Sequence, residues 1–260
     1  MILVLGGTTE GRRLAGYLSD SGFKVMLSTA TTFPDSRGPA ENPPGRADGV
    51  TAITGMLDRR ALACLIDDRR IRALVDATHP FALEITKLAR SVCEDLNLPY
   101  LRFERAREEI PGHPDIILID HLEDAPGAAA MNGGNIFLAT GVKSIERFAN
   151  EIPPERVFAR VLPWPQSLDE ALKWLPPSNV IAALGPFTRE FNVACFNLFN
   201  ARILVTKNSG AGAGMEAKIS AALELKMKVV IIDRPHPVDG AFTDFAALAA
   251  RLEGVLYGAV

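Results

Sequence analysis

The chain contains 260 residues, of which 48% are hydrophobic and 23% are charged, and its formal net charge at pH 7 is −3. This composition is typical of a globular protein that buries a full core, and it excludes an intrinsically disordered chain. The slightly acidic balance argues against a protein built around nucleic acid. We therefore expect a globular protein with no nucleic-acid partner.

Three observations predict a cytoplasmic protein. The cysteines Cys64, Cys93 and Cys195 lie far apart in apolar, helix-like segments, without the spacing of a disulfide framework or a metal site. The first residues already show a strand pattern, so we expect no signal peptide. No apolar run approaches the length of a membrane span, so we expect no membrane association.

A strand that leads directly into a glycine-rich turn opens the chain at residues 2–5. The residues of the turn are Gly6, Gly7, Thr8, Thr9, Glu10 and Gly11. A helix pattern follows from Arg12, so the turn directs backbone N–H groups and a helix N-terminus at any group above it, which suits a phosphate. Two of the three glycines of the dinucleotide fingerprint are present, and the threonine hydroxyls could donate to phosphate oxygens. The alternative is a tight turn that binds no ligand.

Strand and helix patterns alternate along the first half of the chain. Strands are predicted near residues 2–5, 24–28, 50–54, 72–76 and 99–103, and helices near 10–20, 58–68 and 81–96. Repeated βα units imply a parallel sheet with right-handed crossovers. In the third helix, one apolar face is expected to cover the core, and it consists of Phe81, Ile85, Leu88, Val92 and Leu96.

Polar residues at two strand ends are candidates for cofactor contacts. Ser28 and Thr29 end the second strand, where an NAD site usually has an acidic residue, and a proline-rich loop after them carries Arg37 and Arg46. Hydroxyl groups and arginines suit the 2′-phosphate of NADPH better than the bare ribose of NADH. A generic polar strand end is the alternative.

Thr78 and His79 follow the fourth strand, where the nicotinamide or the substrate is expected. His79 could bind a cofactor or a carboxylate, or transfer a proton. A structural role for either residue, as the cap of the helix that follows, is the alternative.

The second half of the chain repeats the alternation. Strands are predicted at 115–119, 135–139, 156–161, 179–184, 202–206 and 228–232, and helices at 121–131, 143–150, 167–175, 188–198, 212–225 and 241–254. The charged stretch Arg102–Glu109, followed by Pro111-Gly112, suggests a domain boundary. We therefore predict an α/β protein of two Rossmann-like parallel-sheet domains, 1–108 for NADPH and 109–260 for substrate, with the active-site cleft between them.

A second glycine-rich cluster lies between a strand and a helix in the second half. Its backbone amides form a predicted anion nest, and its candidate residues are Lys207, Ser209, Gly210 and Gly212. Residues 184–189 and 139–143 are weaker examples of the same pattern. A flexible loop without a ligand is the alternative.

Several familiar mechanisms are excluded by missing motifs. The chain has no Tyr-x-x-x-Lys pair of a short-chain dehydrogenase and no Gly-x-Ser-x-Gly elbow of a hydrolase. The four histidines show no metal-ligand spacing, so we expect no metal. In a redox reaction the cofactor carries out the chemistry, and the protein needs mainly to position the reactants. Such a reaction is consistent with the absence of these catalytic motifs.

Several motifs together resemble the precorrin-6A reductases of cobalamin biosynthesis, and the similarity extends over nearly the whole chain in the family's order. They are Leu5–Gly11, Asp76–Ala82, Gly185–Phe187, Thr206–Gly210, Glu216–Ile219 and Asp233–Pro235. Ala217 separates Glu216 from Lys218, two residues expected to be adjacent in the family. The resemblance implies NADPH-dependent reduction of one double bond of the precorrin-6A macrocycle, or of its cobalt-bearing counterpart, to give precorrin-6B.

The resemblance also implies roles for the candidate residues. Gly6, Gly7, Thr8, Thr9 and Gly11 would hold the pyrophosphate, with Ser28 and Thr29 near the adenosine ribose and its phosphate, and Thr78 and His79 near the nicotinamide. Lys207, Ser209 and the glycines after them would face the carboxylates of the substrate. From their charge alone, Arg37 and Arg46 are further candidates for binding those carboxylates. His79 and Lys207 are the candidate catalytic residues, and His79, Lys207 and bulk water are alternative proton donors. A reductase of a smaller substrate and a non-catalytic NAD(P) sensor are the competing functions.

Overall fold

Two all-parallel sheets with interleaved helices form the fold in the computed structural model, which describes residues 1–30, 49–106, 109–210, 214–234 and 240–258. The chain divides into two units. The first contains Met1–Arg105 and His236–Val260, and the second contains Ala106–Pro235. The α/β class with two parallel sheets is therefore confirmed.

The first unit is built on a five-stranded sheet in the order β3-β2-β1-β4-β5. Its strands are β1 (Ile2–Leu5), β2 (Val25–Thr29), β3 (Val50–Thr54), β4 (Ala73–Asp76) and β5 (Tyr100–Arg102), and its helices are α1 (Thr9–Asp20), α2 (Arg59–Asp68), α3 (Leu83–Asp95) and α9 (Phe245–Tyr257). Every neighbouring pair of strands is parallel. This order matches the first five strands of the six-stranded dinucleotide-binding fold, 3-2-1-4-5-6.

The second unit is built on a six-stranded sheet in the order β6-β11-β10-β7-β8-β9, again with parallel pairing throughout. Its strands are β6 (Ile116–Ile119), β7 (Asn135–Ala139), β8 (Val157–Val161), β9 (Val180–Ala182), β10 (Ala201–Lys207) and β11 (Lys228–Ile232). Its α-helices are α4 (Ala125–Ala130), α5 (Ile145–Glu151), α6 (Pro165–Leu172), α7 (Arg189–Leu198) and α8 (Met215–Glu224). Short 3-10 turns occupy Leu122–Asp124, Val142–Ser144, Pro154–Arg156 and Pro177–Asn179.

Alternate residues of β1 face two different cores, which explains its continuous apolar run. Val4 packs with Leu14 of α1 in one buried cluster, whereas Leu3 packs with Leu62 of α2 in the other. Because both faces of this strand are covered, its four side chains are all buried. The predicted strands are all present, with ends that differ by no more than two residues.

The last helix belongs to the first unit, whereas the sequence-based division at residues 108 and 109 assigns it to the second domain. Leu248 and Leu252 of α9 lie in the same buried cluster as Val4. The backbone of Phe242 also pairs with Phe103 after β5. The apolar face of α9 thus covers one side of the first sheet.

Two smaller expectations need correction. The apolar face of α3 is confirmed in part: Val92 is buried and Ile85 and Leu88 pack against the same buried cluster, whereas Leu96 follows the last helical residue and is 47% exposed. Cys64 is exposed on α2 and does not lie in an apolar environment.

Candidate functional site

The predicted cofactor residues meet at the topological switch point of the first sheet. There β1 and β4 are neighbours, while the chain leaves them toward opposite sides of the sheet. The amide of Ala77 after β4 donates to the carbonyl of Leu5 at 2.8 Å. Ligands of open α/β sheets bind beyond the carboxyl ends of the strands at this point.

Gly6 and Gly11 pack backbone to backbone where β1 turns into α1. A Cβ atom added to Gly11 would lie 2.9 Å from the Cα of Gly6, and one added to Gly6 would lie 3.0 Å from the Cα of Gly11. These glycines therefore allow the helix to approach the strand closely. Gly7 differs, because it is exposed and a Cβ there would meet nothing within 4 Å. The turn thus leaves open space above Gly7 at the N-terminus of a twelve-residue helix.

Thr8 and Thr9 have different positions in this turn. Thr8 is the N-cap of α1, and its Oγ1 accepts from the amide of Gly11 at 3.0 Å and lies 3.4 Å from the carbonyl oxygen of Ala77. Thr9 is the first residue of the helix and is exposed. The hydroxyl of Thr8 therefore has a structural role, and Thr9 presents the accessible hydroxyl of the pair.

The residues predicted for the adenosine end are only partly described. The carbonyl of Ser28 accepts from the amide of Gly6 at 2.9 Å, and its side chain is buried beneath the turn. Thr29 is half-buried and is the last residue of β2. Arg37 and Arg46 lie outside the described residues.

Thr78 belongs to a buried polar network and not to a helix cap. Its hydroxyl donates to Oδ1 of Asp76 at 2.6 Å and accepts from Nη1 of Arg102 at 3.1 Å. The cap alternative is wrong for both Thr78 and His79, because α3 begins at Leu83, with Ala82 as N-cap and no side-chain cap. Thr78 therefore fixes the loop after β4.

His79 is half-buried in the same loop at the switch point. The amide of Phe81 donates to Nδ1 of His79 at 3.3 Å. A neutral imidazole that accepts at Nδ1 has its proton on Nε2, so Nε2 is the atom that would donate. The loop thus sets the tautomer of this histidine.

The network behind Thr78 was not predicted from the sequence. Nη1 of Arg102 lies 2.7 Å from Oδ1 of Asp76, and Nε donates to Oε1 of Glu104 at 3.0 Å. The hydroxyl of Tyr100 donates to Oδ2 of Asp76 at 2.9 Å, and burial, with the charge of this carboxylate, raises the pKa of Tyr100. Every second residue of a strand points to the same face of the sheet. This spacing relates Tyr100, Arg102 and Glu104, so the sequence did contain a signal that they share one face.

The second sheet has its switch point between β7 and β10. Their register pairs Thr206 with Ala139, so Lys207 and the Thr140–Lys143 turn begin at the same edge. Lys207 is half-buried, and burial, with the positive charge of Lys143, lowers its pKa. Burial and the positive charge of Lys143 both disfavour the charged form of Lys207. An anion bound at this edge of the sheet would stabilise that charged form.

The other residues of this cluster flank Lys207. Ser209 is half-buried, and Gly210 is buried with a φ of 81°, a backbone angle that favours glycine. Gly212 lies outside the described residues. The structure thus brings Lys207, Ser209 and Gly210 together with Lys143, which sequence analysis had placed in a weaker pattern.

The 184–189 segment has a different geometry from an anion-binding loop. Thr188 caps α7 by accepting from the amide of Phe191 at 3.2 Å. The ring of Phe187 turns back over Gly185, where an added Cβ would lie 2.9 Å from the ring. On β8, the guanidinium of Arg160 has its Cζ 3.9 Å from the centre of the Phe187 ring.

Among the described residues, no group of three or more histidine, cysteine or acidic residues is arranged to hold a metal ion. None of the helices described is long and apolar enough to cross a membrane.

Comparisons with known proteins identify relatives along the whole chain. The model of the family described as precorrin-6x reductase CbiJ/CobK matches residues 1–253. A cobalt-precorrin-6A reductase of Methanocaldococcus jannaschii is 36% identical over 234 residues, covering 90% of each protein. A precorrin-6A reductase of Rhodobacter capsulatus is 31% identical and covers 98% of this chain and 94% of its own length. A solved structure of CobK precorrin-6A reductase superposes with a TM-score of 0.79 at 26% identity, covering 98% of this chain and 97% of that one.

Proposed function

The chain belongs to the precorrin-6x reductase family, and from this membership we propose that it reduces the precorrin-6A macrocycle, or its cobalt-bearing counterpart, with NADPH. The family is one of oxidoreductases that act on a tetrapyrrole intermediate of cobalamin biosynthesis, and a reductase of this kind implies a nicotinamide cofactor. The observation that carries the NADPH proposal is the turn after β1, where the Gly6–Gly11 contact leaves Gly7 and the α1 N-terminus open.

The residues of the first unit fit a dinucleotide. Gly7 offers a backbone amide without a side chain to block a phosphate, and the hydroxyl of Thr9 is exposed beside it. The positive end of α1 favours a negative charge at the same place. We assign the pyrophosphate to this turn, with Gly6, Thr8 and Gly11 shaping it.

The choice of NADPH over NADH rests on the end of β2. Ser28 and Thr29 occupy the positions where an acidic residue would bind the ribose hydroxyls of NADH and repel a 2′-phosphate. The sequence adds Arg37 and Arg46 as candidates for that phosphate.

NADPH, when bound, supplies the hydride, and the macrocycle takes up one further proton to complete the reduction. His79 would hold the nicotinamide end through a hydrogen bond donated by Nε2, or, when protonated on both ring nitrogens, would give that proton and no longer accept from the amide of Phe81. Lys207, Ser209 and Gly210, with Gly212, would bind the carboxylates of the substrate, and Lys207 is a second candidate donor because burial and Lys143 lower its pKa. The protein would act mainly by orienting the reactants and excluding water.

Calorimetry with NADPH and NADH tests the cofactor assignment. NADPH is expected to bind more tightly, and Thr9→Val should weaken binding by about 0.5–1.5 kcal/mol if one phosphate hydrogen bond is lost. The matched control is Thr51→Val on the exposed face of β3, which should leave the affinity for NADPH unchanged. No measurable heat with either coenzyme would remove the cofactor proposal.

Turnover assays separate the competing functions. NADPH oxidation is expected with precorrin-6A or cobalt-precorrin-6A and not with simple carbonyl compounds. Oxidation with small carbonyl compounds alone would indicate a reductase of a smaller substrate. Tight NADPH binding without turnover of either tetrapyrrole would indicate a sensor.

A further inference from the structure

A buried arginine of the second unit lies on β8. Arg160 is the fourth residue of β8 and is 8% exposed. Its Nη1 donates to Oδ1 of Asn192 at 2.9 Å, and the thiol of Cys195 lies beside it. In the described part of the chain no aspartate or glutamate pairs with it. Burying an unpaired cation is costly, so this arrangement needs a compensating role.

The loop before α7 holds this guanidinium in one plane. Cζ of Arg160 lies 3.9 Å from the centre of the Phe187 ring, and Phe187 stacks on Phe191 with ring centres 4.9 Å apart. Gly185 is required here, because any Cβ would lie 2.9 Å from the Phe187 ring. The Gly185-Pro186-Phe187 motif therefore forms a platform for Arg160, a role that binding of NADPH does not explain.

Asn192 fixes the same guanidinium from a second direction. Its Oδ1 accepts from Arg160, while its Nδ2 donates to the carbonyl of Thr188 at 2.8 Å. A guanidinium has five N–H donors, and Asn192 engages one of them. A stacked, preoriented guanidinium is the group best suited to bidentate recognition of a carboxylate.

The position of Arg160 extends the cationic edge already described. In the second sheet β10, β7 and β8 are neighbours, and Lys207, Lys143 and Arg160 lie at or beyond their carboxyl ends. Lys143 disfavours the charge of Lys207, and a bound anion would offset that penalty. A ligand that carries several carboxylates matches this arrangement.

We propose that Arg160, held flat on Phe187 by the Gly185-Pro186-Phe187 loop, binds a peripheral carboxylate of the macrocyclic substrate. Phe187 and Asn192 are then positioning residues that act through Arg160. This inference rests on the proposed function, because it takes the substrate to be a polycarboxylate tetrapyrrole.

Steady-state kinetics with precorrin-6A provide the first test. Arg160→Gln should raise KM roughly 10- to 100-fold, the effect of losing charge-assisted hydrogen bonds, while the NADPH dissociation constant stays unchanged. Arg160→Lys should recover part of the loss, since it keeps the charge without the planar fork. Arg156→Gln is the matched control, because Arg156 lies at the amino end of the same strand, away from the proposed site, and donates from Nη2 to the carbonyl of Gly134 at 2.7 Å. A wild-type KM in Arg160→Gln would overturn the proposal.

Binding of a stable probe provides a second test that does not need turnover. Cobyrinic acid, a corrin polycarboxylate, and its methyl ester are titrated against folded protein, with circular dichroism as the check on folding. Wild type should prefer the acid, and Arg160→Gln and Phe187→Leu should lose most of that preference. Equal preference in wild type and Arg160→Gln would refute the role of Arg160. If wild type binds the acid but turns over no tetrapyrrole, the proposed reaction fails while the carboxylate site stands.

Discussion

The carboxylate of Asp76 and the guanidinium of Arg102 form an ion pair of 2.7 Å in which the two side chains are 0% and 3% exposed. Asp76 ends β4 and Arg102 ends β5, so the pair joins two neighbouring strands at the edge of the sheet where Thr78 and His79 begin their loop. Thr78 binds both partners. This pair therefore anchors the loop that we assign to the nicotinamide end of the cofactor.

Replacing Arg102 should destabilise the first unit. Arg102→Met leaves the carboxylates of Asp76 and Glu104 buried without their cation, and breaking a buried pair in this way costs about 3–5 kcal/mol. Arg59→Met is the control, because the Arg59–Asp95 pair is exposed and should contribute less than about 1 kcal/mol. Urea unfolding measures both. Equal losses in the two variants would show that Arg102 does not anchor the loop.

The two glycine-to-alanine changes in α1 should have opposite effects. Gly11→Ala places a Cβ against the backbone of Gly6 and should destabilise by about 1–3 kcal/mol. Gly16→Ala meets nothing within 4 Å and should stabilise by roughly 0.5–1 kcal/mol through helix propensity alone. Thermal unfolding separates them, and a stabilised Gly11→Ala variant would contradict the close approach of β1 and α1.

Local sequence patterns predicted most of the fold. The apolar run of β1 and the glycines at positions 6, 7 and 11 carry their information within a few residues, since strand, turn and helix preferences are local. The switch-point positions then follow from the order of parallel strands. These features explain why the residues predicted for the first candidate site lie together at the switch point.

The polar networks were missed because their members are distant in sequence. Arg160 meets Phe187 and Asn192 only because β8 and the loop before α7 converge in the fold. In the sequence, Arg102 and Glu104 belong to a charged stretch that suggests an exposed domain boundary. The fold instead buries both side chains beside Asp76. A run of charged residues does not by itself show which of them the fold will bury. That depends on which strands, distant in sequence, become neighbours in the sheet.

The three thiols should differ sharply in reactivity. Cys93 is buried, and burial with the charges of Asp76 and Glu94 raises its pKa to about 12, while burial also raises the pKa of Cys195. Cys64 is exposed. A thiol-specific reagent at pH 8 should therefore modify one cysteine quickly and all three after unfolding. Cys64→Ser should abolish the fast phase, and a fast phase that survives it would place another thiol at the surface.

Lys207 should reduce the stability of the folded chain at neutral pH, because burial first and Lys143 second lower its pKa below the unfolded value of 10.5. Between the lowered pKa of the folded chain and 10.5, the unfolded chain binds more of this proton than the folded chain does, so the free energy of unfolding rises with pH through that window. Lys207→Gln removes the buried charge and should raise the free energy of unfolding at pH 7. Its advantage over wild type should shrink as the pH approaches 10.5, where the lysine is losing its charge in the unfolded chain as well.

Denaturant unfolding of wild type, Lys207→Gln and the exposed-site control Lys87→Gln at several pH values measures this difference. Lys87→Gln should show no comparable gain, because its side chain is exposed on α3 in the other unit. A destabilised Lys207→Gln variant, or a gain that does not depend on pH, would contradict a penalty on the charge of Lys207. A stabilised variant that also binds the tetrapyrrole poorly would show that this cation is retained for binding at a cost in stability, which is the expected behaviour of a preorganised anion site.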